Sequence, residues 1–191
     1  LSLGKDYPFS EPRSSMGYSI AKPLLGDDEI QQVIRVINSG MIASGPETLE
    51  FEREFSEFTG TLYSCAVTNG TVALSVALSA CGIGPGDEVI TSPFTFVATA
   101  NAILSCGATP VFADIDDENM NISAEAVSNL ISDRTKAIIP VHLYGYPADM
   151  LELESISEEL DIRVIGDAAQ AHGAKIGERP VGSFGDMECF S

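Results

Sequence analysis

From residue 63 onward the chain alternates short apolar runs with windows of helical periodicity, and no other feature restricts its fold as much. The runs span 63–67, 88–91, 109–113, 137–141, 163–165 and 187–190, and the helical windows span 71–81, 97–105, 123–130 and 150–160. Strands that are apolar throughout, rather than at every second residue, have to be covered on both faces. Helices alternating with such strands supply the cover, so an α/β fold is expected, with three α/β/α layers around a mainly parallel sheet. Two helices come first. Ile30, Val33, Ile34 and Ile37 recur at i, i+3, i+4 and i+7 before Gly40. Phe51, Phe55 and Phe58 lie between Pro46 and Gly60, a start and a stop of the usual kinds. Both stripes are expected in a core or an interface. The chain thus reads as an N-terminal helical segment, 1–60, followed by a sheet domain, 61–191.

Composition narrows the partners. The 191 residues suffice for a domain with a real core. Ten basic against 28 acidic residues give a net charge of −18. Such a chain lacks the broad basic surface that binds nucleic acid, and anionic lipid repels it, so neither partner is expected. The uncharged stretches 58–86 and 89–113 are broken by Gly, Pro, Asn, Ser and Thr and do not read as membrane spans. Lys5, Asp6, Glu11 and Arg13 punctuate the N-terminus, which does not read as a secretion signal, and a cytoplasmic location is expected. Cys65, Cys81, Cys106 and Cys189 form no C-x-x-C pair and read as buried, reduced thiols. No metal site is expected. His142 and His172 have no second ligand at metal spacing, and Asn119 stands where a calcium loop beginning at Asp114 needs glycine.

In parallel sheets ligands sit beyond the carboxyl ends of the strands. That directs attention to 68–71, 92–96, 167–170 and Ser191. Gly70 and Thr71 follow a strand and open a helix, where free N–H groups and a hydroxyl can hold a phosphate. An ordinary helix cap has the same pattern. Phe94-Thr95-Phe96 offers an aromatic ring for stacking on a flat ligand, or for plain core packing. Asp167, just past a buried strand, either faces a protonated ring nitrogen or caps a helix from Ala168 onward. Gln170, three residues on, is expected near it if the chain turns helically, with an amide able to bond a phenolic oxygen. The stretch 82–86 is no dinucleotide fingerprint, because Asp87 replaces its third glycine.

The ordered set of segments resembles a family. It comprises Thr68-Asn69-Gly70-Thr71, Gly84-Pro85-Gly86-Asp87, Thr95-Phe96-Val97-Ala98, Gly107-Ala108-Thr109-Pro110, Pro140-Val141-His142-Leu143-Tyr144-Gly145, Asp167-Ala168-Ala169-Gln170-Ala171-His172-Gly173 and Val181-Gly182-Ser183-Phe184-Gly185-Asp186, running into Ser191. From about Lys22 to its end the chain is similar to the N-terminal part of the DegT/DnrJ/StrS aminotransferases, enzymes that use pyridoxal 5′-phosphate on nucleotide-linked sugars. The resemblance implies the large domain of a fold-type-I pyridoxal-phosphate transferase, here truncated, with the C-terminal small domain absent. It implies amino transfer, from glutamate, to a keto group of a nucleotide-linked sugar in cell-surface polysaccharide or amino-sugar biosynthesis. The enzyme would be a homodimer. Gly70, Thr71 and Ser191 would bind the cofactor phosphate and Phe96 would stack on its ring. Asp167 would pair with the pyridinium nitrogen, and Gln170 would lie near the phenolic oxygen.

Two departures accompany the resemblance. Gly166 stands where many members carry an acidic residue, with little effect expected. The Schiff-base lysine of the family lies five places beyond the position of Ser191, so no catalytic residue is assigned within the chain, and the chain alone is expected to be inactive. Histidine at that position would instead indicate a sugar dehydratase of the same family. A shortened protein that binds without catalysing is the alternative from another class. An incomplete sheet exposes strand edges and apolar surface. The isolated chain is therefore expected to associate in analytical ultracentrifugation; a monodisperse, cooperatively melting monomer would contradict this.

Overall fold

A computed structural model describes residues 23–191. The stretch 1–22, including Lys5, Asp6, Glu11 and Arg13, lies outside the described residues. The chain divides into two units, Leu1–Gly45 and Pro46–Ser191.

The described part of the first unit is organised around helix α1, Asp27–Ser39. Its start is set by Gly26, whose N–H donates to the Glu29 carboxylate at 2.6 Å, and by three acidic residues in the first turn. Gly40, at φ 73°, ends it in the left-handed conformation that glycine adopts without a Cβ clash. Ile30, Val33, Ile34 and Ile37 are all exposed, so of the two settings expected for this stripe the core is not realised.

The second unit contains α2 (Pro46–Thr59), α3 (Gly70–Ala80), β1 (Glu88–Thr91), α4 (Ala98–Ser105), β2 (Thr109–Phe112), α5 (Ala124–Leu130), β3 (Thr135–Ile139), α6 (Met150–Leu160), β4 (Arg163–Asp167), β5 (Lys175–Ile176), β6 (Arg179–Pro180) and β7 (Met187–Cys189). Five strands form one parallel sheet in the order β2-β1-β3-β4-β7. The pleat sends successive residues to opposite faces. Val89, Ala137, Ile139, Ile165 and Cys189 pack in one cluster with Leu74 and Leu78 of α3 and Ile103 of α4. Ile90, Ile138 and Val164 pack in the other with Val127 of α5 and Leu153 of α6. Both faces are covered, as continuously apolar strands require. Side-chain caps fix three helix starts, from Asn69 to Val72 N–H (3.0 Å), from Ser123 to Ala126 N–H (3.3 Å) and from Asp149 to Glu152 N–H (3.3 Å).

Two expectations fail, and one feature is additional. The run 63–67 is not a strand. A strand needs a neighbour to complete its ladder, and no described strand pairs with this segment. Its polar groups turn to α2 instead: Ala66 N–H donates to the Glu52 carboxylate at 2.8 Å, and the Ser64 hydroxyl donates to Glu52 C=O. An open cavity of about 970 Å³ is lined by this segment, by α3 and by the stretch 182–191 that includes β7. Next, of the four cysteines only Cys189 is buried, and Cys65, on the unpaired segment, is exposed. Burial pushes the Cys189 thiol up to about 12. Finally, the antiparallel pair β5–β6 went unforeseen, since two-residue strands carry no periodicity.

Leu78 is fully buried between α3 and the sheet. Leu78→Ala leaves a cavity there and is expected to cost about 2–5 kcal/mol, measured as a lowered urea midpoint at unchanged slope.

Candidate functional site

Beyond the carboxyl ends of the strands, α4 and the loops after β3 and β4 are joined by Thr99–Asp167 and Tyr144–Gln170 contacts, and the segment after β7 meets the start of α3. The first N–H groups of a helix have no intrahelical partner. At α3 the Asn69 side chain takes that of Val72, leaving Gly70 and Thr71 at the opening turn. Gly70 N–H donates to the Ser191 hydroxyl at 3.3 Å. A Cβ on Gly70 would lie 2.7 Å from Ser191 Cβ, so only glycine permits this approach. Two segments far apart in sequence thereby build one cradle of backbone N–H groups and hydroxyls.

Asp167 closes β4 and is 7% exposed. Its backbone is held on both sides: its N–H donates to Pro140 C=O at 2.8 Å, and its C=O accepts from His142 N–H at 3.0 Å. One carboxylate oxygen accepts from the Thr99 hydroxyl at 2.8 Å, and the other accepts from Ala169 N–H at 3.3 Å. Among the described residues no lysine or arginine is ion-paired with it. The helix that Asp167 was alternatively expected to cap does not form, and 168–173 is a succession of turns. A buried carboxylate served only by neutral donors suits a cationic partner arriving from outside.

Phe96 follows β1 and leads into α4, and the residue is 75% exposed. Plain core packing, the other reading of this residue, is therefore excluded. Thr99 N–H donates to Phe96 C=O at 3.2 Å, so the exposed ring and the hydroxyl that holds Asp167 share one turn. Gln170 is exposed, and its Oε1 accepts from Tyr144 N–H at 2.8 Å. That bond identifies the amide oxygen and leaves the NH₂ end as the donor for a ligand.

Sequence reasoning missed Thr99 and the pair His142–Glu188. Thr95, before α4, and Thr99, in its first turn, are four apart and were the available signal for the first, and their hydroxyls lie 3.0 Å apart. For the second nothing local signals a pairing between residues 46 positions apart. His142 Nδ1 accepts from Ala148 N–H at 3.0 Å, so the ring proton sits on Nε2, which donates to the Glu188 carboxylate at 3.2 Å. Both side chains are essentially inaccessible to water. Gly166, opposite Glu188 in the ladder, makes the room: a Cβ at 166 would lie 1.9 Å from Glu188 Oε2. The glycine at this position therefore has a definite structural effect.

The fold is that of the large domain of a fold-type-I pyridoxal-phosphate transferase, with the candidate residues near the carboxyl ends of a parallel sheet. The chain belongs to the DegT/DnrJ/EryC1/StrS aminotransferase family, whose sequence profile matches residues 23–191. It is 46% identical over 169 residues to the spore coat polysaccharide biosynthesis protein SpsC of Bacillus subtilis, covering 88% of this chain and 43% of that protein. It is 44% identical to a UDP-N-acetyl-3-dehydro-alpha-D-glucosamine 3-aminotransferase of Acidithiobacillus ferrooxidans, covering 87% of this chain and 45% of the relative. The crystal structure of an aminotransferase from Psychrobacter cryohalolentis superposes with a TM-score of 0.86 at 42% identity, over 88% of this chain and 43% of that one. The chain thus spans under half the length of these proteins. Among its described residues no helix is long and apolar enough to cross a membrane.

Burial holds the Glu188 carboxyl above the usual carboxylate value of 4.5, against the opposing effect of His142. A carboxyl raised on folding contributes most below the unfolded value, and that contribution is lost as pH rises through the folded one. Glu188→Gln, neutral throughout, is therefore expected to melt higher than the parent at pH 8.5, and the difference should shrink toward pH 5 in paired thermal scans.

Proposed function

We propose that this chain is the cofactor-binding part of an enzyme that transfers an amino group, from glutamate, to a keto group of a nucleotide-linked sugar. Pyridoxal 5′-phosphate is the cofactor, the setting is cytoplasmic amino-sugar or surface-polysaccharide synthesis, and the enzyme works as a homodimer. The observation that carries this reading is Asp167, a buried carboxylate with neutral hydrogen-bond donors and no cation of its own among the described residues. The names of the similar proteins supply the sugar and the amino group.

The residues present fit the cofactor. Gly70 and Thr71 at the α3 start, with the Ser191 hydroxyl, form a phosphate cradle whose closeness a Cβ at position 70 would abolish. Asp167 holds the proton on the ring nitrogen. The Thr99 hydroxyl donates to one carboxylate oxygen, which fixes the rotamer. Phe96 offers its open ring face to the pyridine and excludes water from that side. Gln170 presents its NH₂ group to the phenolic oxygen. When bound, the cofactor supplies an electron-withdrawing ring that takes up the electron pair left when the donor's carbon gives up a proton.

Binding of free pyridoxal 5′-phosphate, followed by absorbance and dialysis, tests this reading. The parent protein is expected to retain the cofactor. Asp167→Asn removes a charge-assisted bond worth about 1.5–3 kcal/mol and is expected to weaken binding about tenfold to a hundredfold. Retention unchanged by this substitution, or no binding by the parent, would overturn the assignment.

A further inference from the structure

We propose that Glu188 is a positioning residue. Through His142 it clamps the loop 142–148, so that Tyr144 N–H holds Gln170 with its NH₂ end turned to the ligand. The clamp itself stands on geometry alone; only its service to a cofactor rests on the reading above.

The linkage is continuous. Glu188 accepts from His142 Nε2–H, with its two oxygens 3.2 and 3.3 Å away. An ionised carboxylate is an acceptor only, so it fits a ring whose other nitrogen is already committed as an acceptor. That nitrogen, Nδ1, receives Ala148 N–H at 3.0 Å and so ties down the far end of the loop. The near end is tied by His142 N–H to Asp167 C=O at 3.0 Å. Between the two ends the chain is pinned again. Gly145 N–H donates to His142 C=O at 3.2 Å, and Tyr146 N–H donates to Leu143 C=O at 3.0 Å. The buried Asn121 accepts from Leu143 N–H at 3.3 Å and donates to Tyr146 C=O at 3.0 Å.

What these bonds hold is a conformation the loop does not favour by itself. Tyr144 sits at φ 53°, a left-handed setting that bulky residues seldom adopt. Only a surrounding that over-determines the backbone keeps it there. In that setting Tyr144 N–H points to Gln170 Oε1, although the tyrosine side chain itself is exposed. Gly166 completes the device from the neighbouring strand, because any side chain there would collide with the Glu188 carboxylate.

Hydrogen exchange of the Tyr144 amide tests the clamp in the native protein without any cofactor. The parent amide is expected to be protected despite its exposed side chain. Glu188→Gln keeps an acceptor for Nε2–H and should leave this protection nearly intact. Glu188→Met keeps the volume but removes the acceptor, and should speed Tyr144 exchange about tenfold more than it speeds amides of β1 and β3. Free pyridoxal 5′-phosphate, titrated by absorbance, should bind about fivefold to tenfold more weakly to the Met variant and near parent strength to the Gln variant. Uniform acceleration of all amides, or a Met variant with parent-like Tyr144 exchange, would overturn the proposal. If Glu188→Met fails to fold, the imidazole ¹⁵N spectrum of the parent decides: a His142 proton on Nδ1 instead of Nε2 would refute the clamp. A parent that binds no cofactor while Tyr144 behaves as described would refute the cofactor reading and the clamp's service to it, but not the clamp.

Discussion

Two backbone hydrogen bonds, Asp167 N–H to Pro140 C=O and His142 N–H to Asp167 C=O, carry the pairing of β3 and β4 past the end of the apolar core. Everything at the carboxyl edge of the sheet is arranged around them. They hold Asp167 on one side of the sheet, where Thr99 meets it, and they start the loop from His142 that reaches Gln170. A parallel ladder makes this economical: neighbouring strands end together, so one extra pair of bonds brings residues from separate loops into register.

The same strand order places two carboxylates on opposite sides of one sheet. Asp167 and Cys189 are ladder partners, and Gly166 and Glu188 are the pair before them. Because the pleat alternates, Glu188 points away from the side that Asp167 serves. One acid faces neutral donors at the site, and the other is sealed against a buried histidine. Burial of the second acid works against stability, whereas burial of the first is balanced by donors on both of its oxygens.

Much of this was legible in the chain. The apolar runs give five of six expected strands, because a doubly covered strand writes its burial directly into composition. The positions at or just past those strands include Phe96 and Asp167, since parallel sheets put their exposed chemistry at one edge, whereas Gly70 follows a run that is no strand and is marked by the helix it opens. The rest depends on partners that sequence does not display. Residues 63–67 have strand composition but no neighbour, and composition cannot supply one. Thr99 gains its meaning from Asp167, 68 positions away, and Glu188 gains its meaning from a histidine 46 positions away. Gly166, an apparent departure of little weight, becomes informative only beside the side chain whose space it yields.

The contact between Gly70 and Ser191 joins residues separated by 121 positions. Closing so long a loop is entropically costly and comes late in the folding of parallel sheets. The helix start at Gly70 can form early, from local sequence alone. The cradle it shares with Ser191 exists only once β7 has docked beside β4. A phosphate held there would bind only the chain in which β7 is docked, and so would favour that docking by mass action. On the proposed reading, anion affinity at this cradle would then gauge whether β7 is in place.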